Sequence, residues 1–74
     1  MTYKFNKDLP EIVQNHLPER AQDIFREEYN AAWEKHQNRK LKPDETIEEI
    51  SYKAAWAKVK TKYMQKNEKW ILKD

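Results

Sequence analysis

Not one of the 74 residues is cysteine or glycine. Without cysteine there is neither a disulfide frame nor a thiolate metal site, and the composition fits a reducing compartment. Without glycine the Asn-Gly and Asp-Gly hairpin turns are unavailable, as are the loops that cradle phosphates. No apolar run approaches the roughly 18–20 residues of a membrane span. The opening MTYKFNKD lacks the apolar segment of a signal peptide, so a soluble, cytoplasmic chain is expected. Histidine is limited to His16 and His36, with no His–Glu motif beside either. A base, nucleophile or metal held in fixed geometry needs more than this. The expectation is a protein that is not an enzyme, with no cofactor, no metal site and no catalytic residue.

What the chain does contain is charge and aromatic surface. Charged residues make up 38% and aromatics 12%, including three Trp and four Tyr. That is enough ring area for a core in one domain, 1–74. A domain this small buries only about 60% of its unfolded surface, so its stability is marginal. The charge is unevenly spread. Residues 1–37 carry five basic and seven acidic side chains, and residues 38–74 carry ten basic and six acidic. Such asymmetry marks a face for an anionic partner or simply a solvated surface.

Long stretches rich in Ala, Glu, Lys and Gln, free of internal breakers, predict helices. Pro10, Pro18 and Pro43 each precede such a stretch, where proline acts as a start signal. A short first helix is expected at about 10–15, capped by Asp8, with Leu9, Ile12 and Val13 inward. A second is expected at about 18–37. Its stripe of Ala21, Phe25, Tyr29, Ala32, Trp33 and His36 has helical spacing, opposite a charged side. A third is expected at about 45–66, capped by Asp44 or by Thr46, with Thr46 and Glu49 spaced as a capping box. Asp44, Glu45, Glu48 and Glu49 could suggest a cation site, but first-turn acids are explained by the helix dipole. The tail Trp70-Ile71-Leu72 is too apolar for water and is expected to run extended, pairing with Tyr3–Phe5. The fold class is therefore all-α: a short helix, two longer antiparallel helices and a terminal extended pairing.

One phrase occurs twice. YNAAWEK at 29–35 and YKAAWAK at 52–58 lie 23 residues apart. With that offset Ile24 falls on Ile47, Tyr29 on Tyr52, Ala32 on Ala55 and Trp33 on Trp56. The repeat is either two copies of a binding site or two helices that pack alike. The matched residues are packing types, with Tyr and Trp on one side at i and i+4 and alanines allowing close approach. Packing is the better reading, and the expected core is Phe25, Tyr29, Trp33, Tyr52, Trp56, Val59 and Tyr63.

Two candidate surfaces remain. The third helix has a second apolar stripe, Ile47, Ile50, Ala54 and Ala57, suited to a protein partner. It also carries Lys58, Lys62, Lys66 and Lys69 at steps of four, four and three. If the helix runs on, these form a ridge for nucleic-acid phosphates, with Arg39, Lys40 and Lys42 as a second patch.

The block DLPEIVQNHLPERAQDIF (8–25), the NAAW at 30–33, the later AAWAKVKTKY (54–63) and Trp70 together resemble the ChaB-like family over nearly the whole chain. The resemblance implies a small, mostly helical regulator of cation transport. It implies as partner a sodium/proton and calcium/proton antiporter of the bacterial inner membrane, and a place at that membrane through the partner. Relatives in large DNA viruses of insects have a proposed DNA-binding role, which is the alternative. Two positions depart from the family pattern. Tyr52 stands where many relatives carry histidine, which weakens any proton-sensing role there. NEKW (67–70) lacks the usual glycine before the tryptophan, which implies a different turn into the tail.

Overall fold

The computed structural model describes residues 2–73. Its elements are a single 3-10 turn at Asn6–Asp8, then α1 (Glu11–His16), α2 (Glu19–His36), α3 (Ile47–Lys62), β1 (Tyr63–Lys66) and β2 (Lys69–Leu72). The chain is thus three helices followed by a two-stranded antiparallel sheet, and the all-α expectation is corrected by that sheet.

Helix α1 presents Val13 to the core, and Leu9 and Leu17, just outside its two ends, are buried with it. Ile12, expected inward, is 56% exposed because it projects about 100° from Val13 on a helix too short to have two covered sides. Asp8 is not the cap. Pro10 occupies the N-cap position and no side chain caps it, while Asp8 ends the 3-10 turn. Polar bonds brace this corner instead. The Gln14 amide donates to the carbonyls of Lys7 and Leu9 at 3.0 and 2.6 Å. The Gln22 amide donates to the Leu17 carbonyl at 2.9 Å.

Helix α2 follows from its stripe: Ala21, Phe25, Tyr29 and Ala32 are buried, with Trp33 and His36 half-buried. Helix α3 starts where Thr46 Oγ1 accepts the Glu49 N–H at 3.1 Å, the first half of a capping box. The two helices run antiparallel. Tyr29 lies by Glu48 and Tyr52, whereas Ile24, earlier in α2, lies by Lys58 and Lys62, late in α3. The line of α3 that enters the core is Ser51, Ala55 and Val59, all at 0% exposure.

Helix α3 stops at Lys62, four residues before the expected end, and Tyr63 turns extended. Strand β1 then pairs with β2, Tyr63 opposite Leu72 and Met64 opposite Ile71. Tertiary pairing here overrides the helix propensity of Met, Gln and Lys. The turn into the tail, made without glycine, is formed by Asn67-Glu68. Asn67 has φ 57°, and asparagine tolerates the left-handed region better than other side-chain-bearing residues. The tail therefore pairs with β1 and not with Tyr3–Phe5. Tyr3 docks on α2 instead. Its N–H donates to Asn30 Oδ1 at 2.8 Å, and its carbonyl accepts from Asn30 Nδ2 at 2.7 Å. A second tie joins Asn6 to Asp23 and Arg26, at 2.6 and 2.8 Å.

Candidate interaction surfaces

The expected core residues meet around one ring. Phe25 is fully buried and lies 5.6 Å from Tyr52, 5.3 Å from Trp56 and 6.2 Å from Tyr29, measured between centroids. Edge-to-face geometry at Tyr52 and Trp56 suits the quadrupoles of the rings. Tyr29 stacks on Trp33 at 6.1 Å, and Tyr52 meets Trp56 at the same distance. The twofold phrase thus places matched residues in matched packing roles. Ala32 and Ala55 are both buried, and Trp33 and Trp56 are both half-buried shoulders. Val59 and Tyr63 complete the set, both buried.

The Tyr29 phenol is a weaker acid than usual. Burial first, then the neighbouring Tyr3 phenol and Glu48, push its hydroxyl from 10.0 up to about 12. A phenol held protonated in this way is a poor base or nucleophile at neutral pH. Tyr3, Tyr29, Glu48, Glu49, Tyr52 and Lys53 line a shallow hollow of about 440 Å³.

The candidate protein-binding stripe lies to one side of the buried line of α3. Ile47, Ile50 and Ala54 are half-buried and Ala57 is exposed, so the four share a helix side without forming a bare apolar patch. The lysines do not make one ridge. Lys58 and Lys62 stand on α3 opposite Glu27 and Glu28 of α2. Lys66 and Lys69 leave the helix altogether and face each other across the hairpin. The ridge required a helix continuing past Lys62, and the strand turn removes it. Arg39, Lys40 and Lys42 are exposed in the connection before α3. A 16-residue helix, about 24 Å long, separates that patch from the hairpin lysines.

The most exposed large apolar residues are ones the sequence reading assigned to no surface: Phe5, Ile12, Met64, Ile71 and Leu72. Three of these are on the hairpin. The inner side of that hairpin is seated by Trp70, 5.3 Å from Trp56, in a groove bordered by Ile12, His16, Lys60 and Gln65. The signal that could have found the hairpin was Asn67, a residue that tolerates a tight turn, standing between two short segments that each carry apolar side chains.

What the fold defines is a small three-helix domain sealed at its C-terminal end by a β-hairpin over an aromatic cluster. The chain belongs to the ChaB family: the sequence model of that family, described as ChaB, matches residues 9–73. It is 42% identical over 72 residues to a protein of Escherichia coli (strain K12) named "Putative cation transport regulator ChaB", covering 95% of each chain. The same identity and coverage hold for a protein of that name from Shigella flexneri. Among solved structures it resembles the "NMR solution structure of the putative cation transport regulator ChaB", with TM-score 0.82 and 40% identity over 97% of this chain and 99% of the other. The resemblance read from the Leu-Pro and Ala-Trp blocks is therefore correct. Among the described residues, no helix is long and apolar enough to cross a membrane.

Proposed function

We infer that the protein is a non-enzymatic regulatory or adaptor module that acts by binding another protein. The observation that carries this reading is the end-to-end match to relatives named as cation transport regulators. With no helix among the described residues able to span the bilayer, the module would act on transport through something that does span it, and by resemblance the partner is a cation antiporter. The α3 side formed by Ile47, Ile50, Ala54 and Ala57 is the contact surface. It is apolar at its centre and accessible at Ala57, and it is flanked by charge, which sets orientation more than affinity. Nucleic acid, the alternative reading, draws less support from this arrangement. The lysines it needs are divided between a helix side shared with Glu27 and Glu28 and a hairpin.

The test is capture from detergent-solubilised membranes, with the antiporter scored by mass spectrometry. Enrichment over an unrelated small basic protein is expected, with loss of that enrichment in Ala57→Glu, a change at an exposed position that leaves the core intact. No enrichment, or enrichment indifferent to the substitution, counts against the reading.

A further inference from the structure

The outward side of the hairpin has a composition that neither the core nor the α3 surface explains. In an antiparallel ladder, residues directly opposite one another share a side, and sides alternate along the strand. Tyr63 is buried and Trp70 packs on Trp56. The pairs Tyr63–Leu72 and Gln65–Trp70 therefore face inward, and the pairs Met64–Ile71 and Lys66–Lys69 face outward. Met64 is 45% and Ile71 41% exposed. Leu72, at the strand end, is more exposed still. An isolated hairpin gains nothing by displaying an aliphatic pair to water, and opposed lysines repel each other.

The charge around this patch is mostly positive. Residues 63–73 contain Lys66, Lys69 and Lys73 against a single acid, Glu68, in the turn, and Lys60 borders the Trp70 groove, whereas Lys58 and Lys62 face Glu27 and Glu28. None of these lysines is in an ion pair among the described residues. Aliphatic side chains bordered by lysines, with no aromatic ring or arginine on the outward side, suit a surface that accepts hydrocarbon beneath a layer of negative charge. Nucleic acid offers the charge but has nowhere to place Met64 and Ile71, and its bases favour stacking rings.

We propose that the outward face of the hairpin, Met64 and Ile71 with Lys66 and Lys69, docks on the surface of an anionic lipid bilayer. Met64 and Ile71 enter the boundary between headgroups and acyl chains. Lys66 and Lys69 stay at headgroup level, where anionic lipid phosphate relieves their mutual repulsion. Trp70 stays inside as the anchor that holds the hairpin to α3. This contact is separate from the α3 side assigned to a protein partner and stands or falls independently of it.

The experiment is sedimentation of the full chain with vesicles in which about a third of the lipid is phosphatidylglycerol, against vesicles of phosphatidylcholine alone. Salt-sensitive binding to the anionic vesicles only is expected. Lys66→Gln with Lys69→Gln should weaken it about 25-fold, taking about fivefold for each lysine. Met64→Ser with Ile71→Ser, which leaves charge unchanged, should weaken it roughly tenfold. All four side chains face solvent, so circular dichroism and melting of both variants should match the parent. Absence of binding to anionic vesicles at low salt overturns the proposal. So does binding that ignores the Met64 and Ile71 changes, because charge alone then suffices. Tighter binding to a fluorescent DNA duplex, with the same lysine dependence and no effect of the serine pair, overturns it in favour of nucleic acid.

Discussion

Helices α2 and α3 share a phrase of sequence yet contribute opposite things to the core. Helix α2 supplies bulk: Phe25 and Tyr29 project from its buried line. Helix α3 supplies room: its buried line is Ser51, Ala55 and Val59, and its rings, Tyr52 and Trp56, stand to one side. With the 23-residue offset, Phe25 corresponds to Glu48 and Ser51 to Glu28. Phe25, the largest fully buried side chain, and Ser51, the buried polar one, thus have no counterpart in the repeat. The duplicated phrase builds the shoulders of the helix pair, and the unduplicated positions between them decide which helix fills and which receives. Repetition in this chain therefore encodes a helix pair without a symmetric one.

The sharpest way to break that asymmetry is to remove the filler. Phe25→Ala is expected to cost about 3–5 kcal/mol, enough to leave a small domain largely unfolded at 37 °C, as read by circular dichroism and urea titration. A melting curve like the parent's would mean that the ring is not the centre of the core. The matched tryptophans sharpen the comparison. Trp56 touches Phe25, Tyr52 and Trp70, whereas Trp33 stacks on Tyr29 alone among the rings. Trp56→Ala should therefore cost about 3–4 kcal/mol and Trp33→Ala about 1–2 kcal/mol. Equal losses would restore symmetry between the helices.

Alkali tests the burial of Tyr29. The folded Tyr29 holds its proton to about 12, above its ordinary 10.0, so between those values the folded state binds more proton than the unfolded one. Stability from this group is complete below about pH 10 and falls as pH rises toward 12, by on the order of 2 kcal/mol. Tyr29→Phe should flatten that loss in denaturant titrations at pH 9 to 11.5. An unchanged slope would contradict the burial of its hydroxyl.

The smallest expected effect is at the receiving helix. The Ser51 hydroxyl is buried and has no hydrogen-bond partner among the described residues. Ser51→Ala keeps the space and removes the unsatisfied group, and should raise stability by about 1 kcal/mol. Ser51→Leu, by contrast, would collide with the space that Phe25 needs.

Much of this could be read in the sequence, for unequal reasons. The spacing of Ala21, Phe25, Tyr29 and Ala32 over 12 residues is long enough for one helical period to dominate, so α2 is found to within one residue at each end. Four-residue strands carry no such redundancy. Residues 63–66 read equally well as a last helical turn, and only the partner at 69–72 decides between them. Counting glycines misleads at the turn because asparagine can take its place. Of the buried line of α3, Ala55 and Val59 are legible in the apolar spacing, whereas Ser51 is not, because a serine carries no hydrophobic signal. The candidate surfaces were legible as composition but not as placement, since the lysines at 66 and 69 change sides when the helix ends.

The seat of the hairpin has a further consequence. Two paired strands alone are scarcely stable in water, and this pair meets the helices chiefly through Tyr63 and Trp70. One further tie is the Lys73 N–H, which donates to the carbonyl of Lys62, the last residue of α3, at 2.9 Å. The hairpin is therefore expected to open more readily than the α2–α3 pair, with its backbone amides exchanging faster than those of the two helices. Detachment would expose Trp56 and leave the helix pair intact, so the C-terminal end has its own opening equilibrium, set mainly by how well one indole rests on another.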